Sequence, residues 1–98
     1  MEIIKDKVLK NCYWRNKDNI YTLESKNYIL NNNSFTIEIN IFGYILIDNN
    51  NYKAFIYKLP NENNLNNFEY IATYEDLNLA MYSITSVISD FINNIYEV

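Results

Sequence analysis

The hydrophobic periodicity of this chain changes once, near residue 74, and that change limits the folds open to it. Beyond it, Leu77, Met81, Ile84, Ile88, Phe91 and Ile95 recur at spacings of 4, 3, 4, 3 and 4, which puts all six on one side of an α-helix of about twenty residues. Before it, apolar and polar residues alternate in short runs separated by Asn-rich segments, the period of strands and turns. The architecture expected is α+β: an antiparallel sheet of about five or six strands, joined as hairpins or a meander, with one long C-terminal helix packed on one face. The stripe covers under three heptads and lacks paired Glu and Lys flanks, so it suits packing on a sheet better than a coiled coil.

Read in order, residues 7–14 suggest a strand, although Ile4, Val8 and Cys12 also fit one side of a short helix. Residues 15–19 are a turn by composition, and 20–24 a returning strand that should form a hairpin with the first. A short strand over 28–30 and a turn over 31–34 follow. Phe35, Ile37, Ile39 and Ile41 then alternate with Thr36, Glu38 and Asn40, a strand with one buried and one wet face. The only glycine, Gly43, interrupts a pattern that otherwise runs on to Ile47, so it marks a bulge or close backbone approach, with a bend or a reversal there. Residues 48–51 turn the chain into a strand over 52–59 that Pro60 ends. A polar loop over 61–67 leads to a last strand over 68–73. Thr73 and Asp76 have capping-box spacing, and Glu75 and Asp76 oppose the positive end of the helix dipole. The stripe should meet Phe35, Ile37, Ile39, Ile45 and Ile47 in one core, and residues 1–98 should form a single domain.

Composition explains some of this patterning without reference to function. Asn and Ile supply 19 and 15 of the 98 residues, against one Gly and one Pro, the bias expected of a very AT-rich genome. Asn tolerates the left-handed backbone region, so it can stand in for the missing glycines in turns.

The same inventory speaks against most catalysis. The chain has no His and a single Cys, so neither a Ser-His-Asp nor a Cys-His relay can be built, nor an ordinary zinc site. A phosphate-binding loop needs more than one Gly. Carboxylate chemistry alone survives, with Glu38 and Asp48 near strand ends as its candidates. The expectation is a protein that is not an enzyme and has no cofactor or metal, with Cys12 a small buried thiol beside Tyr13 and Trp14. No apolar run approaches the length of a membrane span, and the first residues do not read as a signal peptide, so a cytoplasmic location in the host cell is expected.

Charge is distributed unevenly. Residues 1–58 carry eight cations and six acids, whereas residues 59–98 carry six acids and no cation, which together make the net charge of -4. Phosphate binding needs a basic patch, so direct nucleic-acid binding is not expected unless Lys5, Lys7, Lys10, Arg15 and Lys17 supply one. Ten Tyr offer rigid contact area and the Asn residues offer adaptable amides. The leading expectation is therefore a small acidic protein-binding inhibitor from a phage or mobile element, anti-CRISPR-like, acting on a basic partner such as a nuclease or CRISPR effector. Glu69, Glu75, Asp76, Tyr82 and Asp90 are the candidate partner-binding residues. The alternatives are a nucleic-acid-binding accessory protein using the basic N-terminal segment and a toxin-immunity protein. The chain should be a monomer or a homodimer.

Overall fold

The computed structural model describes residues 2–6, 9, 12–31, 36–58 and 68–96, with side chains described for 3–6, 9, 12–25, 40–58 and 68–90. Six strands, β1 (Glu2–Lys5), β2 (Cys12–Lys17), β3 (Ile20–Asn31), β4 (Thr36–Asp48), β5 (Asn51–Tyr57) and β6 (Phe68–Tyr74), precede one helix, α1 (Leu77–Tyr96). The strands form one antiparallel sheet in the order β1-β2-β3-β4-β5-β6, a meander in which every neighbour in sequence is a neighbour in space. α1 lies over β5 and also touches β4 and β6.

Two of the turns follow from their residue types. Lys17 pairs with Ile20 across the turn residues Asp18 and Asn19, and Asp48 pairs with Asn51 across Asn49 and Asn50. Asp18, Asn49 and Asn50 have φ of 57°, 50° and 67°. These are left-handed values that Asn and Asp tolerate better than other residues with side chains, and two in succession make the tight turn whose twist matches a hairpin.

Several boundaries differ from the sequence reading. Of the strand expected over 7–14, Cys12–Trp14 belong to β2, while Leu9 lies at a bend whose carbonyl accepts the Cys12 amide. β2 runs on through Arg15–Lys17, because the left-handed Asp18 moves the turn to Asp18-Asn19. Glu2–Lys5 is a strand of its own, pairing with β2. The separate strands expected over 20–24 and 28–30 are one strand, β3, made continuous by an irregularity in which Ser25, Lys26 and Asn27 stand opposite Asn40. Lys7, Val8, Phe35, Pro60 and the 61–67 loop lie outside the described residues.

The largest correction concerns which side of β4 is buried. Leu23 pairs with Gly43 but Glu24 pairs with Ile41, so Phe42 is an extra residue. A bulge of this kind shifts the alternation by one. Ile41, expected in the dry row, is 38% exposed, and Phe42 beside it is fully buried. Gly43 is neither a bend nor a reversal, since β4 passes straight through it. The bulge and the close approach are both present: the extra residue Phe42 is its neighbour, and a Cβ on Gly43 would lie 2.6 Å from the carbonyl oxygen of Phe55 and 3.0 Å from Cγ2 of Ile84.

Between the layers lie Trp14, Leu23, Phe42, Ile45, Ala54, Ala80, Ile84 and Ile88, all buried, with Cys12 at the margin and Leu77 and Met81 packed against them. The side chains of Phe91 and Ile95 fall outside the described set. Thr85, buried among these apolar residues, donates its hydroxyl to the Tyr82 carbonyl at 3.1 Å, a bond one turn back that satisfies the buried hydroxyl. Away from the helix, Asp6 braces the chain after β1. One of its carboxylate oxygens accepts the Trp14 indole N–H at 2.9 Å and the other the Leu9 amide at 2.7 Å, and Leu9 packs on the core.

Candidate functional site

The five residues expected to bind a partner are all exposed, and all belong to the helix-bearing side or to the corner that leads into it. Glu69 pairs with Ile56, which pairs with Gly43, the residue that faces Ile84. Residues directly opposite in a ladder share a face, so Glu69 is on the helix side of edge strand β6. Glu75 and Asp76 form the corner between β6 and α1. Tyr82 and Asp90 stand on the outer side of α1, eight residues and about 12 Å apart along its axis.

Asp76 also has a local role. Its carboxylate accepts the backbone amides of Asn78 at 2.7 Å and Leu79 at 3.3 Å, which makes it the N-cap of α1. The cap expected from Thr73 does not form, because Thr73 is still in β6 and its hydroxyl meets that of Tyr70 at 2.7 Å. Leu79 and Tyr82 add an apolar element to the acidic helix side, at 58% and 66% exposure.

A second surface was not legible in the sequence. The cross-strand pairs Ile3–Arg15, Lys5–Tyr13, Tyr13–Glu24, Arg15–Thr22, Thr22–Tyr44, Tyr44–Phe55 and Phe55–Tyr70 share the sheet face that α1 leaves open. At the β4–β6 end its aromatic rings pack on one another. Tyr44 stacks on Phe55 with centroids 4.6 Å apart and planes 12° from parallel, and Tyr70 meets Phe55 edge-on at 5.6 Å. Phe68 touches Tyr44 and Tyr57 edge-on at 5.2 and 6.1 Å. The signal in the sequence was the absence of polar alternation in 41–47 and 54–57, but only the pairing register gathers these rings.

The charges on that face are partly consumed within it. Arg15 Nε lies 3.0 Å from a Glu24 carboxylate oxygen, which also accepts the Thr22 hydroxyl at 2.6 Å, and the guanidinium sits 5.8 Å from the Tyr13 ring centre. The Tyr13 hydroxyl and then the Glu24 carboxylate raise the Arg15 pKa, so the group stays charged. Lys53 Nζ is 3.2 Å from Asp48, which pairs one of the two carboxylates weighed for catalysis; the Glu38 side chain lies outside the described set. Of the basic segment, Lys5 and Lys17 are exposed on this face, while Lys7 and Lys10 lie outside the described residues.

Cys12 is buried, and burial pushes its thiol pKa up, with a Ser25 hydrogen bond opposing and Asp6 reinforcing the rise. It is a protonated core thiol at neutral pH. Among the described residues no group of three or more His, Cys, Asp or Glu is placed to hold a metal ion, and no helix is long and apolar enough to cross a membrane.

The arrangement defines a two-layer α+β protein with an acidic helical side and an open aromatic sheet face. No family model, no curated protein and no solved structure matches the chain.

Proposed function

We propose that this protein is a non-enzymatic binding module that docks its helix-bearing side on a basic protein. The observation that carries this reading is the outer side of α1, where the exposed Leu79 and Tyr82 stand among Glu75, Asp76 and Asp90. No cation follows Lys58 in the sequence, so nothing within β6 or α1 neutralises these acids. A large amphipathic ring inside an acidic rim is complementary to a basic surface with an apolar recess, and the acids speed and orient the encounter. Grooves that bind nucleic acid combine those features, so the partner we favour is a nuclease or CRISPR effector, held in an inhibited state. A source in a phage or mobile element rests on size and AT-rich coding.

The test is affinity purification from the native host with the wild-type chain and with the triple variant Glu75→Lys, Tyr82→Ala, Asp90→Lys. Asp76 is left in place because it caps the helix. A basic protein retained by the wild type and lost by the folded variant is the expected result. Retention unchanged by the triple variant would refute the assignment, as would recovery of nucleic acid instead of protein.

A further inference from the structure

We propose that the open face of the sheet is a self-association surface that seats a second copy of this chain. A sheet with one wet face places polar residues there, whereas strands covered on both sides read as continuous apolar runs. Ile41-Phe42-Gly43-Tyr44-Ile45-Leu46-Ile47 in β4 and Ala54-Phe55-Ile56-Tyr57 in β5 are runs of the second kind. α1 covers only one of their two sides. On the other, Ile3, Ile20, Ile41 and Tyr70 are exposed large apolar side chains among the described residues.

Charge decides between the occupants such a face could take. Nucleic acid requires cations to meet phosphates and ring faces to meet bases. Here Arg15 and Lys53 are held by Glu24 and Asp48, and the face of Tyr44 is turned to Phe55. Arg15 and Lys53, the cations nearest the aromatic rows, are thus each paired with a carboxylate on the same face. Among the described residues, Lys5 on edge strand β1 and Lys17 beside the β2–β3 turn carry no carboxylate partner, and both lie at the rim. An apolar aromatic centre within a charged rim is the anatomy of a protein interface.

A second copy also meets the electrostatic and area requirements. Glu69, Glu75, Asp76 and Asp90 belong to the opposite side, so two chains of net charge -4 can meet through their least acidic faces. The molecule is 21 Å thin, with longer extents of 43 and 30 Å, which leaves room for the roughly 800 Å² per partner of a standard interface. Two such sheets would pack as a sandwich about 10 Å apart, with both helices outward. This surface stands independently of the partner proposed for the helix side.

Sedimentation equilibrium of the full chain over about 1–100 μM tests it, with Tyr70→Arg and Ile41→Arg as two separate disruptive variants and Tyr82→Arg as the control on α1. The expected result is a species of twice 11.7 kDa. Each sheet-face variant should weaken self-association by about tenfold or more while still unfolding cooperatively, and Tyr82→Arg should leave it unchanged. A chain that stays at 11.7 kDa throughout overturns the proposal, as does a dimer that survives both sheet-face variants or dissociates with Tyr82→Arg. A labelled oligodeoxythymidine that binds the wild type and is lost by Tyr70→Arg would assign the face to nucleic acid instead.

Discussion

Gly43 of β4 and Ile84 of α1 mark the closest approach of the two layers: a Cβ on Gly43 would stand 3.0 Å from Cγ2 of Ile84 and 2.6 Å from the Phe55 carbonyl oxygen. The second of these contacts is with backbone, which cannot rotate away. Gly43→Ala should therefore destabilise the fold by about 1–3 kcal/mol through overpacking. Ile84→Ala, which empties the same contact, should cost about 2–5 kcal/mol, and Ile84→Asp should abolish folding by burying an unpaired charge. Urea unfolding measures the first two and circular dichroism the third. A cooperatively folded Ile84→Asp chain would mean that α1 does not pack on the sheet.

Asp6 should prove to be a stabilising residue despite its place near the chain start. Asp6→Ala leaves the indole N–H of the buried Trp14 without its 2.9 Å acceptor, a loss of about 1–3 kcal/mol. Trp14 is the only tryptophan, so its fluorescence reports the change directly. An unchanged emission maximum and an unchanged urea midpoint would show that the bond carries no weight.

The cap and the proposed interface can be separated at Asp76. Asp76→Asn keeps an oxygen for the amides of Asn78 and Leu79 and should hold stability within a few tenths of a kcal/mol, whereas Asp76→Ala should lose about 1 kcal/mol. Thermal unfolding distinguishes them. Equal loss in both would mean that the carboxylate acts through charge at the helix terminus and not through capping geometry.

Alkaline pH should weaken the protein through Cys12. Burial raises its thiol pKa above the ordinary value of 9.0, so the folded chain holds that proton when the unfolded chain has begun to release it. The resulting stability is complete below the ordinary value and is lost as pH climbs through the raised one. Tyr57, raised by desolvation from 10.0, acts in the same direction at higher pH. Urea unfolding at about pH 7 and about pH 10 should show a smaller drop for Cys12→Ala than for the wild type. An identical drop would place the alkaline sensitivity elsewhere.

The helix was legible because its six apolar positions repeat at the α-helical period and tolerate no other reading. The two-residue turn at Asn49-Asn50 was legible because Asn adopts the left-handed backbone the turn requires. β4 was misread at Ile41 because alternation carries no label for a bulge: one extra residue puts the positions on its two sides out of phase, and only the pairing with Leu23 and Glu24 reveals the slip. Of the candidate site, exposure of Glu69, Glu75, Asp76, Tyr82 and Asp90 agrees with their polarity, but the capping bonds of Asp76 depend on where the helix starts.

Residue order by itself determined the α+β class, the helix face and the absence of any cation after Lys58, because each is a property of spacing or count along one chain. Tertiary structure alone decided that Tyr44, Phe55 and Tyr70 form one row and that Arg15 and Lys53 are held by Glu24 and Asp48. Those relations join strands through hydrogen-bond register. A one-residue slip in any ladder would send the rings and their neighbouring charges to opposite sides of the sheet.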